Sequence, residues 1–334
     1  MSVFTSTYTT HTAQGDREDL QDKIFDISPM DTPFVSGCSR GSASAVLHQW
    51  QTDSLADATT NNAQIEGNDY TSVSSGSPTV QVGNYLQISS KTISVSGTLE
   101  KIKKAGRKSE LAYQLAKRGK ELKRDMESIV TGLTTAPNAG GSATARIMAG
   151  LPLWVNTNES RGTSGAGSDT DGSGWLSTGG VPTATSFSDG TQRALTETLF
   201  KAVLQSCWTN GADPSMFMVG AYNKTIASST LDGIATQNVD VVRAAEAKPG
   251  VSIGSVDVYV SDFGVIRIIP NRFQRARDGW VLDMEYCALN FLRPMHTVKL
   301  AKTGDAEKRL LQVEYTLCIK NEAALGVVAD LSTS

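Results

Sequence analysis

Four cysteines, Cys38, Cys207, Cys287 and Cys318, are scattered through 334 residues, and no two of them form a CxxC pair. This spacing suggests neither a zinc site nor a disulfide framework, so buried, reduced thiols are expected. Histidine is scarcer: His11, His48 and His296 are the full set, with no metal-ligand spacing between them. The sequence contains no HExxH. Gly106, Arg107, Lys108 and Ser109 resemble a phosphate loop only in their basic pair and hydroxyl, without the GK[ST] ending or a second glycine at the required distance. Asp169, Asp171 and Gly172 lack the further acidic ligands of a calcium loop. No catalytic, cofactor or metal-binding residue is assigned, and the chain does not read as an enzyme.

Long apolar runs are also missing. The first fifteen residues are rich in Ser and Thr, without the basic and apolar segments of a secretion signal, and no stretch approaches membrane-spanning length. A cytoplasmic protein with no membrane partner is expected. The formal net charge of −3 excludes a strongly basic nucleic-acid binder, so any basic surface must be local. A hydrophobic fraction of 39% is nevertheless enough for a real core.

What the chain does have is one long amphipathic segment, residues 98–132. Leu111, Leu115, Leu122, Met126, Ile129 and Leu133 recur at steps of three and four, bridged by Gly119, which predicts a helix with one apolar stripe. Gly106 should break off a short first turn, and Gly132 stands where a C-terminal cap belongs, with Pro137 just beyond. From Arg107 to Thr131 such a rod spans about 37 Å, which makes it a spine. Its other faces are basic: Lys101, Lys103, Lys104, Arg107, Lys108, Lys117, Arg118, Lys120, Lys123 and Arg124 face five acids between residues 100 and 127. These charges suit either a phosphate-facing surface or a solvated, subunit-facing helix in which Glu121 pairs with Lys117 or Lys120.

Before the spine, a short helix is expected from Asp16 to Ile27, followed by an extended, turn-rich arm through Asp31, Thr32, Pro33 and Phe34. Residues 43–51 alternate so that Val46, His48 and Trp50 share a face, and residues 79–96 alternate likewise. Between them lie the polar residues 53–78. The economical reading is a long two-stranded arm with a polar tip, either folded back on its own domain or lying on something else. Its acids Asp53, Asp57, Glu66 and Asp69 are opposite in charge to the spine. An acidic arm lying across a neighbour's basic helix would satisfy both and predicts self-association.

After the spine, residues 134–190 are rich in Gly, Ser and Thr around the apolar island 150–155, and residues 162–180 read as a surface loop. A second helix is expected from Thr191 to Trp208, with Leu195, Leu199, Ala202, Val203 and Cys207 facing a core. A strand at 216–220 and a hairpin around Ser261 to Gly264 should follow. Strands are then expected at 280–292, 297–300 and 310–319, the last two joined by the charged connection Lys302 to Arg309, and an apolar segment 323–331 pinned into the fold. The fold class is α+β.

Several stretches together resemble a known family: ISPMDTPF at 27–34, HQWQTDSLADA at 48–58, IEGNDY at 65–70, GNYLQISSKTISVSGT at 83–98, AGRKSELAYQLAKRGKELKRDME at 105–127 and EYTLCIKNEAALGVVADL at 314–331. They look like the SU10-type major head proteins of tailed bacteriophages, which have the Hong Kong 97 capsid fold; the similarity is weakest at 134–190. The resemblance implies an N-terminal arm (1–42), an extended loop (43–97), a peripheral domain built on the spine (98–189, returning at 266–334) and an axial domain (190–265). It further implies a homo-oligomer of hexamers and pentamers forming an icosahedral shell around packaged double-stranded DNA, part of the virion and assembled in the host bacterial cytoplasm. Separate scaffold, portal and decoration proteins are implied partners, with no scaffolding domain fused to the N-terminus. Candidate interface residues are Trp50, Asp53, Asp57, Glu66, Asp69, Lys91, Arg107, Lys117, Arg118, Lys120 and Arg124. No matching motif supports a Lys–Asn crosslink at Lys91. Alternatives are an encapsulin-type compartment holding protein cargo and a nucleic-acid-binding protein working through the basic helix.

Overall fold

The computed structural model describes residues 28–56, 58–63, 65–67, 76, 78–168, 176, 180–184, 187–230 and 258–334. The helix expected at 16–27 and the Asp169–Gly172 turn lie outside them. The spine is present but starts later than its periodicity suggests. A single turn, α2 (Gly97–Lys101), is capped by Ser96; the chain then turns at Gly106, in the left-handed region at φ 72°, and the long helix α3 runs Glu110–Gly132. Ser109 caps α3 by accepting the Ala112 N–H, and Glu100 accepts the N–H groups of Glu110 and Leu111. Gly132 is the last helical residue and not a left-handed cap; Leu133 ends the helix by turning extended. The apolar stripe is deepest toward the C-terminal half, where Leu122, Met126 and Val130 are buried, while Leu111 and Leu115 are half-buried.

The spine lies on a four-stranded sheet. Its order is β1 (Ser39–Ser42), β10 (Cys287–Lys299), β11 (Ala306–Ile319) and β4 (Gln87–Ser96), with β1 parallel to β10 and the remaining pairs antiparallel. Leu311, Val313, Tyr315 and Leu317 of β11 meet Leu122, Met126 and Val130 of α3 in one core with Trp154 and Trp280. β4 therefore belongs to this sheet, and only β2 (Leu47–Thr52) and β3 (Val80–Tyr85) form the expected two-stranded ribbon. The strands expected at 280–292 and 297–300 are redistributed. β9 (Gly279–Leu282) ends in a short turn capped by Asp283, and β10 then runs unbroken past Pro294, where shifts in register accommodate the missing N–H. Residues 306–309 are already strand, so the connection before β11 is shorter than the charge run suggests.

A second, six-stranded sheet has the order β5 (Asn158–Ser160), β12 (Gly326–Val328), β9, β6 (Met216–Val219), β8 (Gly264–Pro270) and β7 (Val258–Ser261). Helix α5 (Glu197–Thr209) covers one face. Phe200, Val203, Leu204 and Cys207 point inward, and Phe200 meets Phe217 and Tyr259 at ring-centroid distances of 4.4 and 5.4 Å. Ala202, expected in the core, is exposed, because the buried face of the helix is centred on Phe200, Val203, Leu204 and Cys207. Gly326 is what lets α5 approach: a Cβ there would stand 2.5 Å from Val203 Cγ1 and 2.9 Å from Cys207 Sγ. The segment 323–331 is thus pinned as expected, inside a sheet. Helix α6 (Ala221–Thr230) follows β6, and the apolar island 150–155 carries the short, wholly buried helix α4 (Leu151–Trp154).

Candidate assembly surface

The segment leading into the first sheet is helical where an extended arm was expected: Pro33, with its fixed φ, opens α1 (Pro33–Gly37). Glu127 of the spine, fully buried, accepts the N–H groups of Phe34 and Val35 at 2.9 and 2.8 Å, and the Asn271 side chain at 2.6 Å. These are the donors that a helix start leaves without partners. Burial holds the Glu127 carboxyl above its ordinary range in spite of those bonds.

The ribbon is anchored at its base and bare at its end. Trp50 stacks on Trp154 at 5.4 Å, so this candidate interface side chain leans on its own chain's core. His48 meets Asn290 at 2.6 Å, and Gly83 donates to the Gly180 carbonyl at 2.9 Å. Gly180 lies at φ 79°, and a Cβ on it would come within 2.2 Å of the Gln81 carbonyl oxygen. Beyond Thr52 and Val80 this support ends: Leu55 is 98% exposed and Ile65 80%, with Asp53 and Glu66 exposed beside them. Asp57 and Asp69 lie outside the described residues.

The candidate basic residues divide by their contacts. Lys91 of β4 reaches Asp125 of the spine at 2.6 Å, tying sheet to helix. Arg107 pairs with Glu110 and lies over the Tyr113 ring, and Arg124 lies over Phe273. Glu121 pairs with Arg118 at 2.5 Å and not with the lysines expected for it; the i,i+3 spacing from Arg118 puts the guanidinium on the same side of the helix. Lys117 and Lys120 remain exposed, beside Ser28, Pro29 and Met30 in a small hollow.

Sequence reasoning missed a polar cluster that closes the Gly/Ser-rich region. Asp330, buried and at φ 60°, accepts Gly162 N–H at 3.0 Å, Gly190 N–H at 2.8 Å and Arg277 at 2.8 Å. Arg277 and Arg275 both reach Asp189, at 3.1 and 2.5 Å, and Arg161 and Arg275 lie against the Phe187 ring. Burial pushes Asp278, 3.5 Å from Arg275, up to about 6. One carboxylate thus ties both ends of a loop to the C-terminal segment. The sole sequence signal is an acid inside an apolar run, Ala329 to Leu331.

Chemistry is sparse on this surface. Among the described residues no group of three or more His, Cys, Asp or Glu side chains is placed to hold a metal, and no helix is long and apolar enough to cross a membrane. All four thiols are free and buried; burial pushes Cys207 up to about 12, Cys318 to about 11, and Cys38 and Cys287 higher.

The fold as a whole recurs in solved structures. The capsid asymmetric unit of cyanophage A-1(L) matches with a TM-score of 0.62 at 12% identity, covering 98% of this chain and 99% of that one. The holo-SrpI encapsulin complex from Synechococcus elongatus PCC 7942 matches at 0.53 and 10% identity, over 96% and 94% of the two chains. The fold is therefore that of Hong Kong 97-like capsid proteins. The family model for the SU10 major capsid protein matches residues 3–332, and the chain belongs to that family. A major capsid protein of Escherichia phage Phieco32 is 44% identical over 104 residues, a stretch spanning 31% of this chain and 29% of that protein's length.

Proposed function

We propose that this chain is the repeating subunit of an icosahedral shell, assembling in the host cytoplasm as hexamers and pentamers around double-stranded DNA and catalysing no reaction. Membership of a major capsid protein family over residues 3–332 carries the reading. The ribbon supports it, because an arm whose end bears water-exposed Leu55 and Ile65 gains by lying on a neighbour. In this reading the arm through residue 42, the spine with its sheet, and the unit at 190–265 are the arm, peripheral and axial parts. The projecting part of the extended loop is the ribbon alone. Asp53 and Glu66 of one copy face Lys117 and Lys120 of the next.

Sedimentation of the freshly expressed chain, with negative-stain imaging of the fastest fraction, tests this. Closed isometric particles or hexamer-sized capsomers are expected; a chain that stays monomeric even with a co-expressed scaffold would overturn it. The contents of particles made during infection separate the viral shell from an encapsulin-like compartment: DNA in the first, an enzyme in the second.

A further inference from the structure

The formal net charge of −3 hides an uneven distribution. Residues 97–110 carry five lysine and arginine side chains against Glu100 and Glu110, and residues 299–309 carry four against Asp305 and Glu307. Far apart in sequence, these two stretches meet at one corner of the fold. The turn between β10 and β11 is closed by Leu300, which donates to the Lys308 carbonyl at 3.1 Å. It lies against α2, whose first residue, Gly97, donates to the Asp305 carbonyl at 3.0 Å. β4 delivers α2 to this place, because its last residue, Ser96, stands opposite Ala306.

The acids of this corner are engaged inside the chain. Glu100 accepts the N–H groups that open α3 at 2.9 and 3.2 Å, and Glu110 is buried between Arg107 and Gln114. Glu307 lies 3.6 Å from Lys302 and 3.8 Å from Arg309. The Asp305 carboxylate packs on the bare backbone of Gly97, where a Cβ would stand 2.2 Å from its Oδ1. Lys104 is turned inward as well, to the carbonyls of Glu100 and Ile102. Lys101, Lys103, Lys108 and Lys299 are different: they are exposed, and among the described residues none of them pairs with a carboxylate. Lys299 stands opposite Arg309 in the sheet, cation beside cation. Like charges in that relation repel, so an anion laid across the corner relieves it.

We propose that this corner binds the phosphate backbone of duplex DNA, through Lys101, Lys103, Lys108 and Lys299 and without regard to base sequence. This rests on the shell reading and names the surface of the subunit that meets the enclosed DNA. Lysine favours a phosphate partner over a protein one: protein interfaces are depleted in lysine, whereas an ammonium is a point charge suited to phosphate oxygens. Flexible stems carried on a turn and a single helical turn follow a line of regularly spaced phosphates and give no grip on base edges. The spine itself is less suited, because Arg118 is paired with Glu121, and Asp125 with Lys91.

Binding of a short DNA duplex to the free subunit, read by fluorescence anisotropy, tests the proposal. With four phosphates neutralised, affinity falls by about a hundredfold between 50 and 200 mM salt. A chain combining Lys101→Gln, Lys103→Gln, Lys108→Gln and Lys299→Gln should keep the parent's circular dichroism, bind more weakly and lose most of that salt slope. Lys117→Gln with Lys120→Gln, on the spine, should leave the slope unchanged. A parent that does not bind, or a combined variant with the parent's slope, would overturn the proposal. So would a combined variant that binds DNA as the parent does but no longer forms particles, which would make the corner a contact between copies. In particles made during infection, acetylation should spare these four lysines while DNA is inside and mark them once it is released; equal labelling would again overturn the proposal and leave the shell reading intact. The shell reading falls on a separate result, a parent chain that forms no particles.

Discussion

Glu127 accepts the backbone N–H of Val35 at 2.8 Å, a bond between a spine side chain and an arm residue 92 positions earlier. The same carboxylate holds Phe34, so one buried acid fixes where the arm crosses the spine. Replacement by Ala would leave the two buried backbone donors of Phe34 and Val35 without partners, at about 1–3 kcal/mol each, and would remove an acceptor from the Asn271 side chain as well. Glu127→Ala should lower the urea midpoint of the free subunit and speed proteolysis within residues 28–46. An unchanged midpoint would show that the arm is held by packing of Phe34 and Val35 instead.

Asp278 gives the folded state a pH dependence of definite sign. Its carboxyl is raised from 3.8 to about 6, so between those values the folded chain binds more protons than the unfolded one. Its contribution is therefore fully present below about pH 4 and is lost as pH rises through 6, by at most about 3 kcal/mol. Glu127 and Glu322 are raised by burial too and act in the same direction. Unfolding midpoints for the parent and Asp278→Asn between pH 4 and 8 should differ in slope, with the variant flatter. Parallel curves would mean that Asp278 titrates normally.

Gly180 anchors the ribbon base through a conformation that other residues rarely adopt. Gly180→Ala adds a Cβ that meets the Gln81 carbonyl oxygen and forces a strained left-handed backbone, at about 1–3 kcal/mol. The Gly83 amide should exchange faster in this variant, while α5 and the six-stranded sheet keep their protection.

The charge reading of the arm makes an assembly prediction. Reversing Asp53 and Glu66 to Lys should raise the critical concentration for particles at least tenfold, and Lys117→Glu with Lys120→Glu in the same chain should restore part of the loss. Assembly of the parent should weaken as salt rises, because these side chains are exposed. Light scattering against concentration reads both effects. No recovery in the combined variant would place the acidic tip somewhere other than this helix.

Shortening the polar tip between residues 53 and 78 should leave the circular dichroism of the subunit intact and abolish closed shells. Loss of the folded spectrum would show that the tip supports its own chain.

Local periodicity was enough to identify the spine, α5, the β7–β8 hairpin and the ribbon, because each is set by side chains within a few positions of one another. Leu122, Met126 and Val130 bury as a helical stripe must. The exposed acids and lysines were legible as charges, but not their pairing. Arg118 takes Glu121 although Lys117, four residues before the acid, lies on the same side of the helix, so spacing alone left that choice open.

Tertiary structure alone decided which strands share a sheet. Residues 79–96 alternate throughout, yet the chain divides them at Leu86 between a ribbon and a four-stranded sheet, since alternation reports a half-buried strand and says nothing of its partner. The helical turn at Pro33, the burial of Glu127 and the clasp of Asp330 on Gly162 and Gly190 were likewise invisible. Each depends on donors brought together from distant parts of the chain, and a single sequence records the groups without recording where folding places them.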